Sequence, residues 1–208
     1  MDQAVVAVLA EYDVRAQAEE RQMNGAPPGD TARRIDDLLL RVGPQTGGLM
    51  NLLVKEAGAR AILEVGTSYG YSTVWLAEAA RETGGKVITL EIHPGKVQYA
   101  SAQLAKAGLS AYVDFRVGEA RATLAGLAGP FEFVLLDLWK DLYIPCFELL
   151  RPKLARGALI VADNMLYPEI TLPAAGQYRR HVRATAGMSS VLLSVGSGIE
   201  VSRLHADP

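Results

Sequence analysis

The chain is poor in cysteine, in long apolar runs and in any excess of charge of one sign. Cys146 is the single cysteine among 208 residues. No intrachain disulfide can therefore form, and a reducing compartment is the expected setting. Cys146 lies between Pro145 and Phe147, a context that suits a packing residue better than a nucleophile. The formal net charge is −2, without the basic stripe that marks a nucleic-acid partner. Arg33-Arg34 and Arg179-Arg180 are isolated pairs and read as solvated helix faces. No run approaches the roughly 18 apolar residues of a membrane-spanning helix. Met1-Asp2-Gln3 places no basic stretch ahead of the first apolar segment, so the start does not read as a secretory signal. These absences point to a cytoplasmic enzyme or small-molecule binding protein, with no nucleic-acid and no membrane partner.

What is present suits one soluble α/β domain: 50% hydrophobic and 21% charged residues, in a chain long enough for a sizeable core. The expected division is a helical cap over residues 1–60 and an α/β core over 61–208, within a single domain. Val5, Val6, Leu9, Tyr12 and Val14 form a rough helical stripe. Asn24-Gly25-Ala26-Pro27-Pro28-Gly29 is a break, after which Asp30 or Thr31 can cap a helix with Ile35, Leu38 and Leu39 on its apolar face. A further helix is expected over Thr46 to Ala57.

From Ala61 the pattern changes to apolar runs alternating with helical stretches. Strands are expected over 61–65, 86–91, 112–117, 131–136 and 158–162, with helices near 72–83 and 94–107, the second opened by Pro94. That alternation implies crossover connections and a parallel sheet covered on both faces. The end differs: residues 191–195 and 199–204 flank Gly196-Ser197-Gly198 and read as an antiparallel hairpin. The whole is a doubly wound, Rossmann-like, mostly parallel sheet finished by a C-terminal hairpin.

Three groups of residues carry chemistry. Glu64-Val65-Gly66-Thr67-Ser68-Tyr69-Gly70-Tyr71-Ser72 follows the first strand and opens a helix. Its glycines allow close backbone approach, and the helix start offers free N–H groups to an anion. The spacing is Gly-x-x-x-Gly, not the fingerprint of dinucleotide binders. This argues against a pyrophosphate ligand and a nicotinamide-dependent oxidoreductase, and suits a nucleoside with a smaller anionic tail such as S-adenosylmethionine. Glu91 ends the second strand, where a carboxylate can accept hydrogen bonds from ribose hydroxyls. Asp137 and Asp163-Asn164 end the fourth and fifth strands. Ligands of open α/β sheets bind beyond such ends, and two carboxylates with one amide oxygen suit a hard cation: magnesium, manganese or calcium.

Leu136-Asp137-Leu138-Trp139-Lys140-Asp141-Leu142-Tyr143 and Ala162-Asp163-Asn164 resemble the corresponding segments of the catechol O-methyltransferases. The wider pattern, from about Val42 to Pro168 and again over 195–199, is similar to the cation-dependent class I O-methyltransferases, including the caffeoyl-CoA type and bacterial relatives. The resemblance implies a seven-stranded class I methyltransferase fold. It implies metal ligands Asp137, Asp163 and Asn164, a Mg2+ ion foremost, and Lys140 as the general base. It implies an S-adenosyl-L-methionine site drawn from Val42, Glu64, Gly66, Ser68, Tyr69, Gly70, Tyr71, Ser72, Glu91, Ile92, Gly118, Glu119, Asp137 and Trp139. Lys140, Asn164 and Pro168 would meet a small phenolic or catechol-like substrate. The N-terminal helices of such relatives can also help to build a homodimer. Many bacterial and plant relatives carry a second aspartate where this chain has Trp139, whereas Gly198-Ile199-Glu200-Val201 is similar to the bacterial pattern; Glu200 receives no substrate role. A protein that binds the cofactor without catalysis is the alternative, and retention of Lys140 beside the three metal ligands argues against it.

Overall fold

The computed structural model describes residues 1–24 and 37–205. The apolar runs become the parallel strands β1 (Ala61–Val65), β2 (Lys86–Glu91), β3 (Val113–Val117), β4 (Phe131–Leu136) and β5 (Leu154–Ala162). β1 and β4 are apolar almost throughout because both sheet faces are covered, and Ile62, Leu63, Phe133 and Val134 have no exposed surface. Two antiparallel strands follow, β6 (Met188–Leu193) and β7 (Ile199–Leu204), in a sheet of seven ordered β3-β2-β1-β4-β5-β7-β6. The hairpin folds back so that β7, not β6, pairs with β5. Chain direction along the sheet switches between β1 and β4, where a doubly wound sheet opens a crevice beyond its carboxyl ends.

One apolar cluster lies on each face. The first joins α1 (Gln3–Asn24), α2 (Pro44–Glu56), α3 (Tyr71–Thr83) and α4 (Pro94–Lys106) to the sheet through Tyr12, Met50, Val74 and Leu104. The second holds α5 (Ala120–Gly126), α6 (Tyr143–Leu150) and α7 (Leu172–Ala184) through Leu124, Phe147 and Tyr178. Cys146 is fully buried there, and burial pushes its thiol up to about 11, as a packing residue requires.

Several expectations need correction. The buried stripe of α1 is Val5, Val8, Leu9, Tyr12 and Ala16, while Val6 and Val14 are 52% and 69% exposed. Val14 lies half a turn round the helix from Val5, at about 100° per residue, so both cannot face the core. α2 begins at Pro44 rather than Thr46, with proline in its first turn, where a missing N–H costs nothing. β5 begins at Leu154, before the expected Ala158. A bulge separates the Phe131–Leu154 and Phe133–Leu159 pairs, and Arg156-Gly157 within it looks like loop to a pattern reading. β6 starts three residues before Val191, hidden by Ser189 and Ser190, and stops at Leu193. No bounds were expected for the helices α5, α6 and α7, although Arg179-Arg180 in α7 read as a helix face. In α7 the buried residues Ala175, Gly176, Tyr178 and Val182 are interleaved with Arg179, Arg180, His181 and Arg183, which dilutes the stripe. The Asn24–Gly29 break and the helix capped by Asp30 or Thr31 lie outside the described residues. Among the described residues, no helix is long and apolar enough to cross a membrane.

Candidate functional site

Backbone register brings the site together. Val65 pairs with Leu136, and Leu136 with Ala162. Beyond those pairs the Asp137 N–H donates to Val65 O at 3.0 Å and the Asp163 N–H to Leu136 O at 3.1 Å. Gly66, Asp137 and Asp163 thus stand in a row at three adjacent strand ends, roughly 5 Å apart by strand spacing. Gly66 has φ 109°, and a Cβ there would sit 2.0 Å from the Asp137 carbonyl oxygen. Only glycine lets the two strand ends close up at this point.

The loop after β1 is held from below and from the side. Glu64, with no exposed surface, accepts from Ser72 Oγ through one carboxylate oxygen and from Thr73 and Thr89 Oγ1 through the other, each at 2.6 Å. Burial raises its carboxyl to about 7 against the pull of those hydroxyls. Gly70, with φ 91°, turns the chain into α3. Glu91 accepts from the N–H of Ser68 at 2.8 Å and of His93 at 3.0 Å, tying the loop to the end of β2. Tyr12 Oη donates to Tyr69 O at 2.5 Å, and the Arg15 guanidinium lies 3.9 Å over the Tyr69 ring. Through these contacts α1 packs onto the loop.

A cleft of about 230 Å³, counted out to open solvent, lies above the row of strand ends. Seven expected cofactor residues line it: Val42, Gly66, Ser68, Tyr69, Tyr71, Ser72 and Asp137. Thr67 and the segment Leu39-Leu40-Arg41 also line it. Sequence reading missed Arg41 because nothing in its neighbourhood marks it as more than a surface cation. Glu64 and Gly70 are not among the lining residues, and Glu64 is buried behind Ser72. Glu91, Ile92, Gly118, Glu119 and Trp139 are not among the lining residues. Ile92 and Trp139 are more than half exposed, and the Gly118 N–H donates to Glu91 O at 2.9 Å. Glu119 caps α5, accepting from Ala122 N at 2.8 Å, a structural task the sequence reading had not given it.

The expected metal ligands gather around Lys140. Its Nζ donates to Asn164 Oδ1 at 2.9 Å, to Leu138 O at 3.0 Å and to Tyr143 Oη at 2.5 Å, and lies 3.6 Å from Asp137 Oδ1. Asn164 reaches inward from a left-handed backbone, φ 57°, which asparagine tolerates better than most residues. Asp163 is 1% exposed, and its Oδ1 has no hydrogen-bond partner among the described residues. Burial raises the carboxyls of both aspartates, that of Asp163 to about 7 with Asp137 adding to the effect. Burial also lowers the Lys140 ammonium, against the opposing pull of Asp137 and Asp163. Two carboxyls that resist ionising together, one of them with an orphaned oxygen, form with the Asn164 amide oxygen a hard-oxygen donor set that fits a divalent cation. Among the described residues, no group of three or more His, Cys, Asp or Glu could hold a metal, so the amide of Asn164 is needed to complete this one. Pro168 follows a cis bond from Tyr167, on the loop after Asn164. Glu200 is fully buried, facing Arg183 at 2.7 Å and Ser190 at 2.5 Å, away from the cleft.

A family profile described as O-methyltransferase matches residues 30–204. A catechol O-methyltransferase of Niastella koreensis is 37% identical over 131 residues, which is 61% of this chain and 59% of that protein. The aligned stretch therefore spans less than two thirds of that relative. A caffeoyl-CoA O-methyltransferase of Zea mays is 30% identical over 176 residues, covering 80% of this chain and 68% of that one. Among solved structures, the O-methyltransferase from Bacillus cereus in complex with S-adenosylhomocysteine superposes with TM-score 0.75 at 27% identity, over 98% of this chain and 91% of that one.

Proposed function

This chain belongs to the O-methyltransferase family, and from that premise we propose that it transfers the methyl group of S-adenosylmethionine to a hydroxyl of a small phenolic or catechol-like acceptor, with a divalent cation as helper. The observation that carries the reading is the row Gly66–Asp137–Asp163, which sets the cofactor cleft directly beside the Lys140–Asn164 cluster. The cofactor product bound in the Bacillus cereus relative supports the cofactor assignment, and the names of the catechol and caffeoyl-CoA relatives support the acceptor class.

Asp137, Asp163 and Asn164 would hold the cation, magnesium by the hardness of the oxygens. Bound there, it would bring the ionisation of an acceptor hydroxyl, whose free pKa is about 10 by analogy with tyrosine, toward neutrality. Lys140 takes the hydroxyl proton at Nζ. Burial favours its neutral amine, and Leu138 O, Tyr143 Oη and Asn164 Oδ1 hold the nitrogen in place. The loop from Gly66 to Ser72 would hold the cofactor, which would supply the methyl group to the acceptor oxygen, a positioning task in which geometry supplies most of the rate.

The test is transfer of labelled methyl from S-adenosylmethionine to a panel of catechols and simple phenols, with magnesium and with a chelator. Transfer that requires the metal, and that falls at least about a hundredfold in Asp137→Ala, is the expected result. Transfer unaffected by the chelator and by Asp137→Ala would refute the cation site.

A further inference from the structure

Among the described residues, the cleft lining carries one basic side chain, Arg41, and one acidic side chain, Asp137. The methionine end of S-adenosylmethionine is a zwitterion, with an ammonium and a carboxylate on one carbon. Its carboxylate would enter a region where Glu64 is buried behind the wall and Asp137 stands at the floor. Neither Glu64 nor Asp137 brings positive charge to that carboxylate, and the Ser72 hydroxyl proton is already given to Glu64 at 2.6 Å. The backbone N–H groups at the start of α3 bring only partial charge. A full positive charge is the missing element.

Arg41 is built to supply it. Its Nη1 donates to Asp13 Oδ1 of α1 at 2.8 Å, and its guanidinium lies 5.6 Å from the centre of the Tyr71 ring. Those two contacts fix a long side chain that is only 18% exposed. Arginine carries five N–H donors in a planar fork. Among the described residues, Asp13 engages Nη1 alone, which leaves Nε and Nη2 for a second carboxylate. Asp13 is itself 38% exposed, so water weakens its hold on the charge.

We propose that Arg41 anchors the α-carboxylate of the bound cofactor, with Asp13 as the positioning residue that aims it into the cleft. The assignment rests on the cofactor reading above and deepens it. Leu39 N donates to Glu19 at 2.7 Å and Arg15 donates to Asp37 O at 3.2 Å. The segment leading into Arg41 is therefore strapped to α1 at two points, and cofactor capture is coupled to the N-terminal helix.

The experiment is a calorimetric titration of the parent protein, Arg41→Gln and Arg41→Lys with S-adenosylmethionine and with its decarboxylated form, which keeps the ammonium and sulfonium and lacks only the carboxylate. Losing a charge-assisted hydrogen bond predicts a roughly tenfold to hundredfold weaker binding of S-adenosylmethionine by Arg41→Gln. Binding of the decarboxylated ligand should change by no more than about twofold, since distinct partners are additive. Arg41→Lys should recover part of the loss. Equal losses for both ligands would mean that Arg41 merely packs the wall, and an unchanged affinity for S-adenosylmethionine would mean that it makes no contact; either overturns the assignment. A parent protein that binds neither ligand would overturn the cofactor reading itself, an outcome separable from failure of Arg41 alone.

Discussion

Glu64 shows how much one carboxyl can decide. It has no exposed surface and takes three hydroxyl hydrogen bonds, yet burial still raises it from 4.5 to about 7. The folded protein therefore holds this proton at pH values where the unfolded chain has lost it. The stability tied to Glu64 is complete below pH 4.5, drains away between 4.5 and about 7, and is level above that. Denaturant titrations across this window should show a falling stability, and Glu64→Gln should flatten the fall. Asp163, raised in the same direction, will keep some slope in the variant. An unchanged pH profile in Glu64→Gln would show that the carboxyl is ionised throughout. At this scale the sequence was informative where a residue type has few alternatives. Glycine at 66, the paired acids at 137 and 163 and the asparagine at 164 were legible because strand ends limit what such residues can do. Arg41 was not legible, since an arginine acquires meaning only from what stands opposite, and Asp13 lies far back along the chain.

At the scale of elements, the loop between β1 and α3 is the most constrained piece of chain. Gly66 and Gly58 both have positive φ, 109° and 62°, but they differ in surroundings. A Cβ at Gly58 meets nothing within 4 Å, whereas one at Gly66 lands on the backbone of Asp137. Gly58→Ala should cost about 1 kcal/mol through backbone strain alone. Gly66→Ala should cost at least about 3 kcal/mol, because β1 and β4 must separate. Parallel thermal melts of the two variants check this, and equal losses would deny the close approach. Elements were readable where the apolar period was clean, as in β1, β2 and β4. They were lost where polar residues interrupt it. The opening of β5 contains a bulge, and α7 places Arg179, Arg180 and His181 beside its buried Tyr178.

At the scale of the molecule, the cleft is formed by the N-terminal segment, the loop after β1 and the end of β4, parts that separate on unfolding. A ligand bound there stabilises only the folded state. S-adenosylhomocysteine at one hundred times its dissociation constant should add about 2.7 kcal/mol and raise Tm by roughly 5–10 °C for a chain of this size. A melt that does not move at that concentration would mean that the folded protein does not bind the ligand. What the sequence determined by itself was the alternation of strands and helices, the closing hairpin and the acids at the strand ends, because hydrophobic period and turn chemistry are local properties. Tertiary structure alone decided that β7 inserts beside β5, that Glu119 caps a helix, that Glu200 turns from the cleft, and that Arg41 faces into it. Those outcomes depend on which distant segments meet. No local pattern encodes the charge, or the close backbone, that a residue will find on the other side of a cleft.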